Sequence, residues 1–202
     1  MTQPSSDVAF SPAVKRVQAE RGSRAAYAKV EARGGFRTEV TDDLREFLVG
    51  IDTAFLATAS ADGQPYVQHR GGARGFIRAL DEHTLALPDL AGNRQYVTTG
   101  NLTENDRFCL FLIDYTQRAR VKVWGTAKIV AATPELLAQL GPLPAKAKAE
   151  HVLVLTVRAW DINCPQHIPL KLDAEDVAAA VERLQARIAQ LEAENAELRG
   201  AR

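Results

Sequence analysis

Residues 65–102 read PYVQHRGGARGFIRALDEHTLALPDLAGNRQYVTTGNL, and the reading of this stretch decides the fold. Alternate residues of a strand share a face, so Gln68, Arg70 and Gly72 point one way while Val67, His69 and Gly71 point the other. One face therefore offers an amide, a guanidinium and bare backbone. Glycine admits a flat ligand close to the main chain, and arginine grips a phosphate through two parallel N–H bonds. Further on, Gly92-Asn93-Arg94-Gln95 is expected to open a short helix over residues 93–99, with backbone N–H groups and Arg94 forming an anion site at its start. Together the two segments read as a cradle for a phosphorylated cofactor.

Strand-like runs extend on both sides: residues 54–60, 66–72, 75–80, 84–87 closed by Pro88, 107–114, 120–130 and 151–161. Within 120–130, Arg120, Lys122 and Trp124 share one face and Val121 and Val123 the other. Helices are expected after Ser11-Pro12, over 24–31, from a Thr41 cap to residue 50, and after Thr133-Pro134, while residues 1–10 should fray. Many short strands with helices at their ends rather than between them argue a barrel, not a doubly wound parallel sheet.

The blocks QHRGGARGF, LALPDLAGNRQYVTTGNL, RFCLFLIDY, RVKVWGTAKIV and NCPQHIP, in that order, resemble the pyridoxamine 5′-phosphate oxidase-related FMN-binding split-barrel family. The resemblance implies a mainly β (α+β) fold: a six-stranded Greek-key split β-barrel with flanking helices. It also implies FMN as cofactor and a homodimer with shared flavin sites. The expected division is an N-terminal helical arm over 1–40, an FMN-binding split barrel over 41–170 and a C-terminal heptad helix over 171–202. By resemblance and side-chain type, Asn93, Arg94 and Gln95 are the first candidates for phosphate or ribityl contacts, followed by Arg70 and Lys122. Gln68, His69, Gly71 and Gly72 are candidates to line the ring. Gln166 or His167 would reach a flavin across the dimer.

Each candidate has a plainer reading. Arg70 could be a solvated strand arginine, Lys122 one charge on an exposed sheet face, and Trp124 or Trp160 packing rather than a ring contact. Cys164 with His167 could in principle bind metal or form a nucleophile–base pair, but a metal site needs more ligands at a recognisable spacing, and none is expected. Authentic pyridoxamine phosphate oxidases carry an Arg-x-His element near the C-terminus, whereas this chain ends in a heptad helix, so vitamin B6 oxidation is not expected. The implied activity is an FMN-dependent oxidoreductase of the flavin reductase or oxidase type, with a nicotinamide or other electron donor and a small organic substrate. The alternatives are a non-catalytic flavin- or haem-binding dimeric module, with His69 or His167 as axial ligand, and a purely structural oligomer.

Bulk composition is ordinary for a soluble globular protein. The 202 residues carry 25 basic and 25 acidic side chains, a balance that argues against a nucleic-acid binder relying on a large basic field. Apolar runs are far short of the ~20 residues a membrane helix needs, and the first residues lack a signal-peptide pattern, so a cytoplasmic protein that engages no membrane is expected. Cys109, in an apolar strand pattern, is expected in the core.

The tail carries a heptad. With Val181, Ile188 and Asn195 at position a, Val177, Leu184, Leu191 and Leu198 fall at d. β-branched a residues with leucine at d favour a parallel two-stranded coil, and one asparagine at a fixes register. The alternative is an amphipathic helix lying on its own barrel.

Overall fold

The computed structural model describes residues 3–144, 147–163 and 165–200, arranged in two units. The first takes in the chain through Asp114 and Ala119–Pro165; the second holds Tyr115–Arg118 and the residues from Gln166 onward. In chain order the elements are α1 (Pro12–Glu20), α2 (Arg24–Glu31), α3 (Asp42–Gly50), β1 (Thr53–Ala59), β2 (Pro65–Gly71), β3 (Arg78–Ala79), β4 (Thr84–Leu90), α4 (Val97–Glu104), β5 (Arg107–Asp114), β6 (Ala119–Ala131), α5 (Pro134–Leu140), β7 (Ala149–Asn163) and α6 (Ala174–Gly200).

One antiparallel sheet runs in the order β2-β1-β5-β6-β7-β4-β3. Its seven strands match the seven strand-like runs of the sequence and exceed by one the six that the resemblance implied; of the 75–80 run only the two-residue β3 pairs, with Leu85 and Ala86. The sheet alternates as the sequence demands: β1 buries Ala54, Leu56 and Thr58 and leaves Phe55 and Ala57 on the other face. The inner faces supply Leu56, Leu85, Leu87, Leu110, Leu112, Val121, Val123, Leu153 and Leu155, all fully buried. At roughly 1.5–3 kcal/mol for each such side chain, this cluster is the main stabiliser of the barrel. On the outer face of β4 and β7, Leu136, Leu137 and Leu140 of α5 cover Ala86 and Val152. That second layer explains why β4 is buried on both faces.

Several boundaries differ from expectation, each for a physical reason. β4 continues through Pro88 to Leu90, because beyond Ala86 it has a strand on one side only, where proline is tolerated. Residues 5–8 form a 3-10 turn with Ser6 fully buried instead of fraying, and Ser5 N donates to Gly34 O at 3.0 Å. Ser11 and Thr133 cap α1 and α5 through their hydroxyls, but Thr41 makes no such bond and its hydroxyl is buried without a partner. The arm holds itself together with an ion cluster in which Arg24 and Lys15 both meet Glu31. It reaches β6 and β7 through aromatic rings: Phe36 stacks on Trp124 at 5.5 Å, and Arg37 lies 4.7 Å over Trp160. Trp160 is fully buried, with Nε1 donating to Glu39 O at 2.7 Å, so it serves packing.

Candidate functional site

β2 presents Tyr66, Gln68 and Arg70 on its half-buried face and Val67 and His69 on its exposed face. Arg70 lies on one edge strand of the sheet. Its Nη1 reaches Asp89 Oδ1 of β4, near the other edge, at 2.5 Å, so this ion pair closes the open seam of the barrel. Both side chains are largely buried, 11% and 14% exposed, and Arg70 Nε is buried with no partner.

Beside this pair lies a small, open polar cleft of about 40 Å³, lined by residues that include Gln68, Arg70, Asp89, Asn93, Arg94 and Glu150. The segment before α4 shapes it. Arg94 and Tyr96 both adopt left-handed φ, 59° and 53°, a conformation that costs energy in non-glycine residues and gathers at functional sites. Asn93 Oδ1 accepts from Gln95 N and its amide donates to Gln95 Oε1, both at 3.2 Å, making a side-chain-stabilised turn. The expected helix start at Gly92–Gln95 is therefore corrected: α4 begins only at Val97, and Arg94 is held by a turn, not by a helix N-terminus. α4 is pinned to the barrel by two side-chain bonds. Thr98 Oγ1 donates to Gln68 Oε1 at 2.7 Å, and Asn101 donates to Thr58 Oγ1 at 3.0 Å. With Oε1 engaged, the NH₂ group is what Gln68 has left for a ligand.

The other candidates lie elsewhere. Read across β2, β1, β5, β6 and β7, one outer row runs His69, Phe55, Phe111, Lys122, Asp161. His69, Lys122 and Trp124 are thus on the opposite face of the sheet from Gln68 and Arg70. Phe55 meets the His69 ring edge-on at 5.8 Å. Cys109 also faces outward and is half-buried rather than in the core; burial pushes its thiol up, with Lys122 opposing. Gln95 belongs to the turn beside the cleft and does not line it. Gly71 ends β2 and Gly72 follows it; packing accounts for Gly72, where a Cβ would lie 2.6 Å from Phe76 Cβ, whereas a Cβ on Gly71 would come nearest the tip of the exposed His69 ring, 3.0 Å from Cε1. Gln166 and His167 belong to the second unit, both exposed, His167 with left-handed φ. Cys164 lies outside the described residues. Asp89, Glu150, Tyr96, Thr98 and Thr99 line the cleft without having been singled out in the sequence. Alternation along 84–90 could have placed Asp89 on the inner face with Leu85 and Leu87; the meeting of β4 with β2 could not be read from it.

Asp161, opposite Lys122, has its carboxyl raised above the ordinary 3.8 because burial outweighs the attraction of Lys122 and Arg37. Folding therefore favours the protonated form, whose stabilisation is complete below 3.8 and fades as pH rises through the folded value. Asp161→Asn should raise the melting temperature at pH 7 and leave it unchanged near pH 3. A gain at pH 3 as large as that at pH 7, or none at either, contradicts this.

A family model described as pyridoxamine 5′-phosphate oxidase matches residues 40–164. Among solved structures, HupZ from Group A Streptococcus is 18% identical, with 65% of this chain and 98% of that one covered and a TM-score of 0.48. A protein related to general stress protein 26, of the pyridoxinephosphate oxidase family, from Clostridium acetobutylicum is 15% identical, with 67% and 94% covered and a TM-score of 0.43. An F420 reductase is 24% identical, with 58% and 94% covered and a TM-score of 0.42. No curated protein matches the sequence. Since these TM-scores all fall below 0.5, family assignment rests on the match over 40–164. Among the described residues no helix is long and apolar enough to cross a membrane.

Proposed function

The chain belongs to the pyridoxamine 5′-phosphate oxidase family, and we propose that it is a cytoplasmic FMN-dependent oxidoreductase of the flavin reductase or oxidase type that takes a small organic substrate. The observation that carries this reading is the convergence of Arg70 and Arg94 on one polar cleft, beside a buried guanidinium Nε with no partner. FMN, when bound, supplies the electron transfer itself.

The chain's own residues have simpler tasks. Arg94 and the unpartnered side of Arg70 donate to the phosphate, and Asn93, Gln68 and Thr99 offer polar groups to the ribityl chain. Asp89 orients Arg70 and offsets its charge; with Glu150 at the rim, the cleft holds two cations against two anions. Binding should therefore depend on directed hydrogen bonds more than on a strong positive field. The outer row of His69, Phe55 and Phe111, with Val67 beside it at 59% exposure, is the surface proposed to face a second subunit. In that homodimer Gln166 and His167 serve the partner's flavin. The haem alternative leans on His69, which stands across the sheet from the cleft, or on His167, which belongs to the second unit.

Colour and turnover test the reading. Protein reconstituted with FMN should be yellow and should oxidise NADPH or NADH continuously in the presence of an organic acceptor. Yellow protein without turnover would reduce the assignment to a flavin carrier, a Soret band would replace it with haem, and protein that takes up neither would overturn it.

A further inference from the structure

The second unit ends in α6, a continuous helix of 27 residues without a single buried side chain. At 1.5 Å per residue it is about 40 Å long. Its polar residues leave one apolar stripe: Val177 42% exposed, Val181 45%, Leu184 64%, Ile188 55%, Leu191 40% and Leu198 70%. A helix of this length in water draws most of its stability from a packed apolar face, and here each of these residues is at least 40% exposed. Before the helix, the chain is tied to its own unit, Arg118 Nε donating to Ile168 O at 2.9 Å and Lys171 lying 3.8 Å over the Tyr115 ring.

We infer that this stripe is covered by α6 of a second copy of the chain, as a parallel, in-register, two-stranded coiled coil. Charge complementarity selects the occupant. In a parallel coil each g residue meets the partner helix's e residue five positions on, which pairs Arg187 with Glu192 and Glu194 with Arg199, and two-fold symmetry doubles both. A slip of one heptad would instead put Arg187 beside Arg199 and Glu194 beside Glu192, like against like. Asn195 selects the orientation. In register and parallel, the two Asn195 amides meet and can bond to each other. In an antiparallel coil an a residue lies opposite d, and every d position here is Val or Leu, so the amide would be buried against hydrocarbon without a partner. In the single chain Asn195 Nδ2 donates to Leu191 O at 3.0 Å, a bond it can give up on pairing.

Cross-linking tests register and orientation together. Leu184→Cys at position d should form a disulfide-linked dimer under mild oxidation of the full-length protein, whereas Ala186→Cys, at the outward f position, should not exceed the unmodified chain with its own Cys109 and Cys164. Within the Leu184→Cys chain, Arg187→Glu should lower the yield and adding Glu192→Arg should restore it. An antiparallel coil sets each d residue against an a residue of the partner, so the two introduced sulfurs would not face each other but be offset along the axis by about 6 Å at the fullest overlap and more in other registers, and a different protein as partner would give no self-linking. Equal yields for Leu184→Cys and Ala186→Cys, or no response to the charge exchange, would overturn the inference. All these residues are exposed, so none is needed for the barrel to fold. Flavin is not read, so the outcome stands apart from the cofactor assignment.

Discussion

Arg70→Ala is expected to destabilise the fold by about 2–4 kcal/mol, between the cost of an orphaned hydrogen-bonding group and that of a fully buried unpaired charge. The reason is positional. Arg70 and Asp89 meet across the seam between β2 and β4, so removing the guanidinium leaves a carboxylate only 14% exposed without its partner. The same change removes a phosphate donor, so FMN affinity should fall by about tenfold or more, since a charge-assisted bond of ~1.4 kcal/mol corresponds to that factor. Asp89→Asn separates the two effects. It relieves the buried like charge beside a bound phosphate and frees Arg70, so it should lose some stability yet bind FMN more tightly, with riboflavin affinity unchanged. Unchanged FMN binding in Asp89→Asn would show that the pair serves the seam alone, and weaker binding would show that the carboxylate's orienting of Arg70 outweighs its charge. Urea unfolding gives the first quantity and flavin fluorescence titration the second.

Gly125→Ala should remove about 4 kcal/mol or more, enough to unfold a domain of ordinary stability. Gly125 sits at the irregularity where β6 shifts register against β7, and a Cβ there would lie 1.9 Å from Thr156 O. No rotamer change relieves a contact with backbone, so the two strands must part, and they carry Val123, Leu155 and Val157 into the core. Gly100→Ala is the matched control. It lies within α4, and nothing stands within 4 Å of its added methyl, so it should stabilise by about 0.5–1 kcal/mol. A Gly125→Ala protein that melts like the parent would refute the close approach.

What could be read from the sequence was what periodicity records. Alternation located the strands and the inner face bearing Gln68 and Arg70, and the heptad located α6, because both depend only on neighbours along the chain. The seam was not legible: β2 and β4 are kept apart in the sheet by β1, β5, β6 and β7, and only the curl of the sheet brings Asp89 to Arg70. α4 was misjudged for a local reason. Its N-cap is Tyr96 in a left-handed conformation with no side-chain cap bond, so no Ser, Thr or Asp marks where the helix starts. Gly72 misled differently, for its constraint is Phe76 folding back onto it, and a glycine excluded by a neighbouring ring looks in sequence like one opened for a ligand. Lys122 was grouped with Arg70 by side-chain type and His69 with Gln68 as ring contacts, while the pleat puts both on the opposite face, which the alternation along 66–72 had already indicated for His69.

The central claim is that Arg94 and Arg70 hold the phosphate of FMN, and one pair of titrations tests it: FMN and riboflavin, each against the parent and Arg94→Ala. Arg94 is exposed on a turn, so its loss should leave the fold intact. The account predicts that Arg94→Ala weakens FMN binding by about tenfold and leaves riboflavin binding unchanged, because only the phosphate loses a contact. Equal affinity of parent and variant for FMN, or an equal loss for both flavins, would contradict it.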